Sequence, residues 1–550
     1  MRRGPAAALV GAACLVVFGQ SVGHRFLFWD DWAFITENPL IAYPSARNLV
    51  ALWTRPLLSL YAPLTYSLWA ALSALAGLRP SAFHLTNVVL HVLAARTAFG
   101  LLADVVGPRA PGAALAGALV FALHPLQAES VAWASETKDL LSGLCALVAL
   151  RQLATWRARG SASAYAGASL AFVAALLAKP SAVVVPALAA VFGRLVEQRD
   201  WRASVRGLAP WFAVAAAWTV LAMRVQPAAE RLRYIPPIAL RPILALDTLS
   251  FYLGKLVLPV GLGPDYGRTS ERLLASGAWR YSWIPAVVVL VAAYLVRRRV
   301  PPFAAGVALF ATALLPVLGL VPFDFQSYSN VADHYAYLAM LGPATAVALA
   351  YPSLPRITVP AGVAVLGLLA FVQTGHWRDD GTLAAQTLAV NPLSVMAHNT
   401  AGQLLEERAR LDDALAEYRR ALEIDPESEG ALNNVGNVLF KLERYDDAIR
   451  HYTAIFDHGE HPTEIGARMH NNLGAAYLKT KRYDDAVSEF RRALAIDPTY
   501  VEPYYNLGIV LMAFGRRAEA ADVFRQGLTQ APDHPALRAQ LAAAESGAGP

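Results

Sequence analysis

Two adjacent aspartates, Asp30 and Asp31, follow the first apolar stretch of the chain, in the segment FLFWDDWAFITENPLI. Neighbouring carboxylates repel one another, so one can keep a raised pKa suited to a general base, or both can hold a cation. A structural alternative is that the pair lies at a helix start beside the interfacial aromatic residues Trp29 and Trp32. The pair is therefore the first candidate for chemistry in this sequence.

Other polar side chains fall in loops that a consistent topology places on the same side of a membrane. They are His124 and Glu129 in HPLQAES, Lys138 and Asp139, Lys179, Asp265 in GPDYG, and Asp333, His334 and Tyr335 in NVADHYAY. Carboxylates, histidines and lysines gathered at one surface indicate an active-site face. There, Lys179 or Lys138 could neutralise a phosphate leaving group while an aspartate takes a proton from an acceptor hydroxyl. The alternative for Lys179 is that it only extends its ammonium group to the membrane surface.

The composition indicates a membrane protein that continues into a water-soluble part. With 56% hydrophobic and 16% charged residues, the chain has too few charges for a soluble enzyme. Apolar stretches long enough to cross a bilayer recur about eleven times. Residues 1–375 contain 29 basic and 15 acidic residues, and 376–550 contain 18 and 26. We therefore predict a membrane domain at 1–375, a linker at 376–390 and a soluble domain at 391–546.

The arginines support this topology. The loops containing Arg2, Arg109, Arg157, Arg298 and Arg356 all fall on one side if the stretch 242–260, which includes Asp247 and Lys255, does not cross the membrane. The soluble region then lies outside the cytosol. The surplus of basic residues lies beside apolar stretches, where it indicates the orientation of the chain in a membrane. The sequence therefore predicts lipid contact and no nucleic-acid partner.

Several common kinds of site have no support in this sequence. The two cysteines, Cys14 and Cys145, lie in apolar runs, which excludes a disulfide framework and a cysteine zinc site. The sequence contains no P-loop, GxGxxG or HExxH motif, so ATP-driven transport, dinucleotide redox chemistry and zinc proteolysis lack support.

From residue 391 onward, a sequence block recurs with spacings of 34, 38 and 34 residues. Its shared positions are Gly402, Gly436, Gly474 and Gly508; Ala414, Ala448, Ala486 and Ala520; Tyr418, Tyr452, Phe490 and Phe524; and Pro426, Pro462, Pro498 and Pro532. This is the tetratricopeptide pattern, which predicts an α-solenoid with a concave protein-binding surface. The predicted acceptor-binding residues are Asn433, Asn434, Asn471, Asn472 and Asn506. Alternatively, these asparagines only cover a solvated helix face.

Ordered motifs along the membrane part resemble a known family. They are WDDWAFITENP from Trp29, YAPLTY from Tyr61, HLTNVVLH from His84, HPLQAESVAW from His124, LLAKPSAVVVP from Leu176, FYLGKLVLPVGLGPDY from Phe251 and VADHYAYL from Val331. With the trailing repeats, they resemble the transmembrane and tetratricopeptide-repeat-containing proteins, which are protein O-mannosyltransferase-like enzymes of the GT-C glycosyltransferase class.

The resemblance implies an all-α fold, a GT-C-type polytopic helical bundle followed by the solenoid. It implies a polyprenyl-phosphate sugar donor and transfer on the non-cytosolic side. Asp30 or Asp31 would be the base or a metal ligand, Glu129 a supporting acid and Lys179 a phosphate contact. A divalent metal, Mg²⁺ or Mn²⁺, is left open. Relatives carry arginine where this chain has His334, so a permanent charge is not expected there.

The leading hypothesis is therefore a glycosyltransferase that modifies Ser or Thr hydroxyls of proteins, with mannose as one possible sugar. Two alternatives stay open: a non-catalytic membrane scaffold whose repeats assemble envelope proteins, and a carrier of lipid-linked sugars. The basic residues are mostly arginine, which is typical of a GC-rich bacterial genome. We accordingly expect a bacterial inner membrane location, with the repeats on the periplasmic side.

Overall fold

The computed structural model describes residues 3–57, 60–108, 110–225, 234–355, 357–457, 459 and 463–546. The described residues are predominantly helical and contain no β-strand beyond one isolated bridge between Leu57 and Leu60. This confirms the predicted all-α class. The chain divides into two compact units, Met1–Pro392 and Leu393–Pro550. Arg2, Arg109 and Arg356, used in the topology prediction, and Pro462 of the repeat pattern lie outside the described residues.

The first unit is a bundle of helices of very different lengths. Its α-helices are Arg3–Phe18, Pro39–Ala42, Ala46–Thr54, Pro63–Ala76, Pro80–Val106, Pro111–Leu123, Ala128–Ala132, Thr137–Arg159, Ala162–Ala178, Val185–Leu195, Trp201–Val205, Ala209–Val225, Arg241–Val257, Ser270–Ala275, Ile284–Val296, Pro301–Leu314, Leu341–Ala350, Thr358–Gly375 and Asp380–Val390. Short 3-10 helices connect several of them, including Ala134–Glu136 and Asp333–Ala336. Proline begins several helices because its fixed φ suits the first helical turn.

Four described helices are long and apolar enough to cross a membrane: Arg3–Gly23, Pro80–Val106, Ala278–Val296 and Thr358–Gly375. The pair Pro111–Leu123 and Pro125–Ala132, bent by 52°, makes a fifth if it is counted as one span. Four shorter apolar helices accompany them: Ala162–Ala178, Pro180–Leu195, Ala209–Val225 and Pro301–Val317. Length and composition therefore support a polytopic unit, whereas the number of about eleven spans stays a prediction.

The helix Arg241–Val257 covers most of the stretch that we predicted not to cross. That prediction rests on the cost of an ionisable residue within the membrane. In the structure, Asp247 is fully buried and accepts a hydrogen bond from Arg268 Nε at 3.1 Å. The aspartate charge is thus compensated inside the protein, and whether this helix crosses stays a prediction.

We expected residues 376–390 to be a linker, but in the structure most of them form a helix that packs on the first unit. The helix Asp380–Val390 begins at an Asp379 cap and buries Leu383. Its Asp380 carboxylate accepts a 2.8 Å hydrogen bond from the Phe28 backbone N–H. These contacts make the segment part of the first unit, because its apolar positions have a partner surface.

The second unit consists of four antiparallel helix pairs and one further helix, which confirms the predicted repeats. The helices are Val395–Glu407, Leu411–Ile424, Glu429–Lys441, Tyr445–Asp457, Glu464–Lys479, Tyr483–Ile496, Glu502–Ala513, Arg517–Gln530 and Pro535–Ser546. Within each pair, the shared glycine packs against the shared aromatic ring, as Gly436 does against Tyr452. A Cβ on the glycine would overlap the ring, so the two residue types are required together.

Candidate active site

The two adjacent aspartates have different environments. Asp31 is fully buried and accepts hydrogen bonds from the backbone N–H of Leu27 at 3.0 Å and of Ser135 at 2.8 Å, and from the Ser135 hydroxyl. Burial raises the pKa of Asp31 to about 7, although the hydrogen bonds from Ser135 and Leu27 oppose the shift. Asp31 therefore ties its loop to the loop before the helix Thr137–Arg159.

Asp30 is the more accessible of the pair. Its side chain is 43% exposed, and its Oδ2 lies 3.4 Å from Lys138 Nζ. Loss of hydration raises the pKa of Asp30, and the charge of Lys138 opposes the rise. An exposed carboxylate beside a fixed ammonium group can approach a substrate hydroxyl, which Asp31 cannot do without breaking three hydrogen bonds.

Behind Asp30 lies a buried network of lysines and carboxylates. Lys138 Nζ is 3.1 Å from Glu136 Oε1, and Lys179 Nζ is 3.9 Å from Glu136 Oε2 and forms an ion pair with Asp139. The side chains of these four residues are at most 11% exposed. Lys138 and Asp139 lie in the first turn of Thr137–Arg159, and Lys179 ends the helix Ala162–Ala178. Two helix ends thus place both ammonium groups around one carboxylate.

A histidine–glutamate pair adjoins this network. His334 Nδ1 lies 2.6 Å from Glu129 Oε1, and both residues are buried. Burial lowers the pKa of His334 to about 3, so the imidazole is neutral near pH 7. The ring of Tyr335 lies beneath Lys179, with Nζ 5.4 Å from its centroid. The structure therefore brings His334 and Tyr335 close to the lysines, with Glu129 bound to His334.

Three other predicted residues of the first unit make hydrogen bonds outside this network. Asp333 accepts a 2.7 Å hydrogen bond from the Tyr266 hydroxyl, and burial raises the pKa of Asp333 to about 7. His124 bonds the backbone, with Nε2 3.1 Å from the Leu256 carbonyl oxygen and Nδ1 accepting from the Leu126 N–H. Asp265 accepts from the Gly267 N–H at 2.7 Å, which closes a turn. The bonds of His124 and Asp265 to backbone groups shape the loops.

Sequence reasoning missed one member of the network, Glu136, as a site residue, and it placed Asp139 on the polar face without giving it a role. The run SETKD at 135–139 carries the signal, because it places five polar or charged side chains in succession where the helix Thr137–Arg159 begins. Glu136, Asp139 and His334 each offer a ligand atom, and these atoms lie within 4.8 Å of one another. They are the group of described side chains that could hold a metal ion; Asp30 and Asp31 are not part of it.

The predicted asparagines of the second unit connect successive repeats. Asn472 Nδ2 donates to Asn437 Oδ1 at 2.6 Å and to Asn433 Oδ1 at 3.2 Å. Asn506 Nδ2 donates to Asn471 Oδ1 at 3.0 Å. These residues lie on the first helix of their repeats and, except for buried Asn471, are partly exposed, as is Asn434. The amides can therefore stabilise repeat stacking and still present polar atoms at the surface.

Comparison with known proteins finds two kinds of similarity. Family models described as tetratricopeptide repeat match residues 427–499 and 477–544, and one described as TPR repeat matches 402–443. The chain is 31% identical over 156 residues to the human protein O-mannosyl-transferase TMTC1, covering 26% of this chain and 17% of that protein. It is 30% identical over 155 residues to the Drosophila melanogaster protein O-mannosyl-transferase Tmtc1, with 26% and 18% covered.

Solved structures that resemble the chain are tetratricopeptide and related proteins. YrrB, titled a TPR protein with an unusual peptide-binding site, is 22% identical with a TM-score of 0.25, covering 30% of this chain and 82% of YrrB. Pseudomonas aeruginosa pilF is 19% identical with a TM-score of 0.27, covering 34% and 87%. The chain spans less than a fifth of the length of the curated relatives named above. It is thus similar over about a quarter of its length to the TMTC proteins, and its second unit is an array of tetratricopeptide repeats.

Proposed function

We propose that the protein is an integral membrane glycosyltransferase that moves a sugar from a polyprenyl-phosphate donor to Ser or Thr hydroxyls of proteins. The observation that carries this proposal is the half-exposed Asp30 carboxylate directly in front of the buried ammonium groups of Lys138 and Lys179. The similarity to proteins named O-mannosyl-transferases supports the reaction class. Mannose is the first sugar to test.

The geometry supports a single displacement at the anomeric carbon. Asp30 takes the proton of the acceptor hydroxyl while the hydroxyl oxygen forms a bond to the anomeric carbon. The bond between that carbon and the phosphate oxygen breaks, and polyprenyl phosphate leaves with the electron pair. General-base catalysis of this kind contributes about 10²–10⁴-fold to a rate. A single displacement inverts the anomeric configuration.

The lysines have the matching role for the leaving group. Negative charge grows on the phosphate as the bond breaks, and ammonium groups held in a poorly hydrated place stabilise that charge strongly. Lys138 and Lys179 are already fixed by Glu136 and Asp139, so they need little reorganisation. Glu129 supports this face through His334, and Asp31 positions the Asp30 loop through Ser135.

The second unit would bind the acceptor protein. Tetratricopeptide arrays bind peptides or proteins on their concave surface, and the surface asparagines Asn433, Asn434, Asn472 and Asn506, with Asn471, are the candidate contacts. We propose that the polar face and the repeats lie on the non-cytosolic side of a bacterial inner membrane. This orientation follows the arginine distribution of the sequence.

The test is transfer from a panel of labelled polyprenyl-phosphate sugars to membrane proteins, measured together with released polyprenyl phosphate. Wild-type protein should label an acceptor with at least one donor and release polyprenyl phosphate in equal amount. Asp104→Asn is the matched control, because Asp104 pairs with Arg3 and Arg151 away from the lysine network; it should behave as the wild type.

The same experiment separates the alternatives. Absence of transfer with every donor, while envelope proteins still bind the repeats, would contradict the proposal and favour a scaffold. Movement of the lipid-linked sugar across the membrane of vesicles that contain the protein, without sugar transfer to any acceptor, would favour a carrier. Deletion of 393–550 should remove acceptor choice but leave hydrolysis or transfer to a short peptide measurable.

A further inference from the structure

Three side chains that could bind a metal meet inside the first unit. Glu136 and Asp139 lie three residues apart at the start of one helix, and His334 comes from the 3-10 helix Asp333–Ala336. One ligand atom of each lies within 4.8 Å of the others. Their exposed fractions are only 1%, 9% and 6%. Surface carboxylates often cluster without a ligand, but burial of such a cluster requires compensation.

The charges in this region do not balance. The buried carboxylates Glu136 and Asp139 pair with the ammonium groups of Lys138 and Lys179, and the buried Glu129 carboxylate contacts His334. The carboxylate of Asp30 adds a fourth negative charge. With every group ionised, two negative charges are left over. An excess of this kind in a poorly hydrated place is removed either by protons or by a divalent cation.

Two buried oxygen atoms give a second, independent indication. Glu136 Oε2 and Glu129 Oε2 have no hydrogen-bond partner among the described residues. Buried polar atoms normally find partners, and a buried oxygen without a protein partner is a position at which a ligand, ion or water binds. Glu136 Oε2 belongs to the three-residue group itself, and its distance of 3.9 Å from Lys179 Nζ exceeds a hydrogen bond.

Glu129 has the position of an outer-sphere residue. It holds His334 through Nδ1 at 2.6 Å, which leaves Nε2 as the nitrogen for coordination. Carboxylate–histidine–metal arrangements of this kind fix the ring and increase its basicity as a ligand. A set of one imidazole and two carboxylates suits Mn²⁺ or Zn²⁺ better than Mg²⁺, which prefers oxygen ligands and water.

We propose that Glu136, Asp139 and His334 bind one divalent transition-metal ion, Mn²⁺ or Zn²⁺, with Glu129 orienting His334. The ion competes with the Lys179 ammonium for Asp139 and neutralises the excess negative charge. When bound, it would add a positive charge next to both lysines; its use in sugar transfer rests on the proposed function, whereas its binding does not.

The experiment measures metal binding by the full-length protein in detergent, without any donor or acceptor. The protein is stripped with a chelator, titrated separately with Mn²⁺, Zn²⁺ and Mg²⁺, and analysed by elemental mass spectrometry and by Mn²⁺ electron paramagnetic resonance. The wild type and the Asp104→Asn control should bind one equivalent of Mn²⁺ or Zn²⁺. His334→Gln and Glu136→Gln should lose this equivalent, and Glu129→Gln should weaken binding about 10–100-fold.

The Lys179→Met variant distinguishes this proposal from a general loss of structure. Because the competing ammonium is gone, this variant should bind the metal more tightly than the wild type. Monodisperse wild-type protein that binds none of the three ions up to millimolar concentration would overturn the proposal. So would unchanged stoichiometry in both His334→Gln and Glu136→Gln. Each of these outcomes is independent of whether sugar transfer is found.

Discussion

In the first unit, Lys138, Lys179, Glu136 and Asp139 form ion pairs with side chains that are at most 11% exposed. In the second unit, the pair Arg410–Asp413 has side chains that are 59% and 53% exposed, and similar pairs three residues apart recur along the repeats. Removing ions from water costs several kcal/mol per ion, whereas exposed pairs contribute about 0–1 kcal/mol.

This difference in exposure indicates that the charged residues of the two units have different roles, and that those of the first unit do not serve solubility. The exposed pairs of the repeats lie at helix starts, where they support the local helix and the soluble surface. The buried pairs of the first unit bring together the ends of different helices, such as Lys179 and Asp139. Such an arrangement is costly to bury. The charged groups that we propose it binds are a donor phosphate at the lysines and a divalent cation at Glu136, Asp139 and His334.

The largest effect that tests this contrast should come from breaking the buried network. Lys138→Met leaves Asp30 and Glu136 without their nearest ammonium group. Removal of one partner of a buried ion pair costs about 3–5 kcal/mol, so the free energy of unfolding in detergent should fall by that amount. The double variant with Glu136→Gln should regain part of the loss. If the free energy of unfolding fell by only about 1 kcal/mol, as expected for an exposed pair, the contrast between buried and exposed ion pairs would be wrong.

A comparable effect should appear in the pH dependence of stability. Asp31 is fully buried, and its pKa of about 7 exceeds the unfolded value of about 4. Protonation is therefore favoured by folding, and the free energy of unfolding should fall as pH rises from about 4 through 7, by up to about 4 kcal/mol.

The Asp31→Asn variant isolates this contribution. Its unfolding free energy, followed by thermal denaturation between pH 5 and 8, should depend less on pH than that of the wild type. Asp333, whose pKa burial also raises to about 7, supplies a dependence of the same sign that should persist. An unchanged slope in Asp31→Asn would show that the Asp31 carboxylate is hydrated in the folded protein.

A smaller effect is expected from the amide contacts between repeats. Asn472→Ala removes the donors to Asn437 and Asn433 and should cost about 1–3 kcal/mol. Asn434→Ala is the matched control, because Asn434 is partly exposed, and it should change local stability by less than about 0.5 kcal/mol. Hydrogen exchange of the helices Glu429–Lys441 and Glu464–Lys479 measures both. Equal losses of protection would mean that the amide ladder contributes nothing to stacking.

The smallest effect belongs to the exposed ion pairs. Arg410→Ala should lower the free energy of unfolding by no more than about 1 kcal/mol, and high salt should remove the difference because surface charges are screened. Hydrogen exchange of the helix Leu411–Ile424 at low and high salt is a suitable measurement. A loss of several kcal/mol that does not depend on salt would mean that the exposed ion pairs of the repeats contribute as much to stability as the buried ion pairs of the first unit.

The features that the sequence predicted well are periodic or local. The repeats follow from glycines and aromatic residues in register, since Gly436 and its equivalents must lie under a ring such as Tyr452. Apolar runs predicted membrane-type helices, whereas the single polar face expected from the ionisable loop residues stays a prediction.

The division of roles within that face could not be predicted in this way. Asp30 and Asp31 differ because Asp31 is bound by Leu27 and by Ser135, 104 residues away, whereas Asp30 faces Lys138. The meeting of His334 with Glu129 spans 205 residues, and no spacing rule predicts contacts of that range. The same holds for the segment 376–390. Its helix is stabilised by the hydrogen bond between the Phe28 backbone N–H and Asp380 and by the burial of apolar side chains such as Leu383.

The central claim is that Asp30 is the base of a sugar transfer, and the rate of transfer by Asp30→Asn tests it most directly. We expect a loss of about 10²–10⁴-fold relative to wild type at equal protein abundance, with donor binding and thermal stability retained. Asp104→Asn should keep the full rate. Transfer by Asp30→Asn at the wild-type rate would contradict the account, because the exposed carboxylate would then take no part in the reaction.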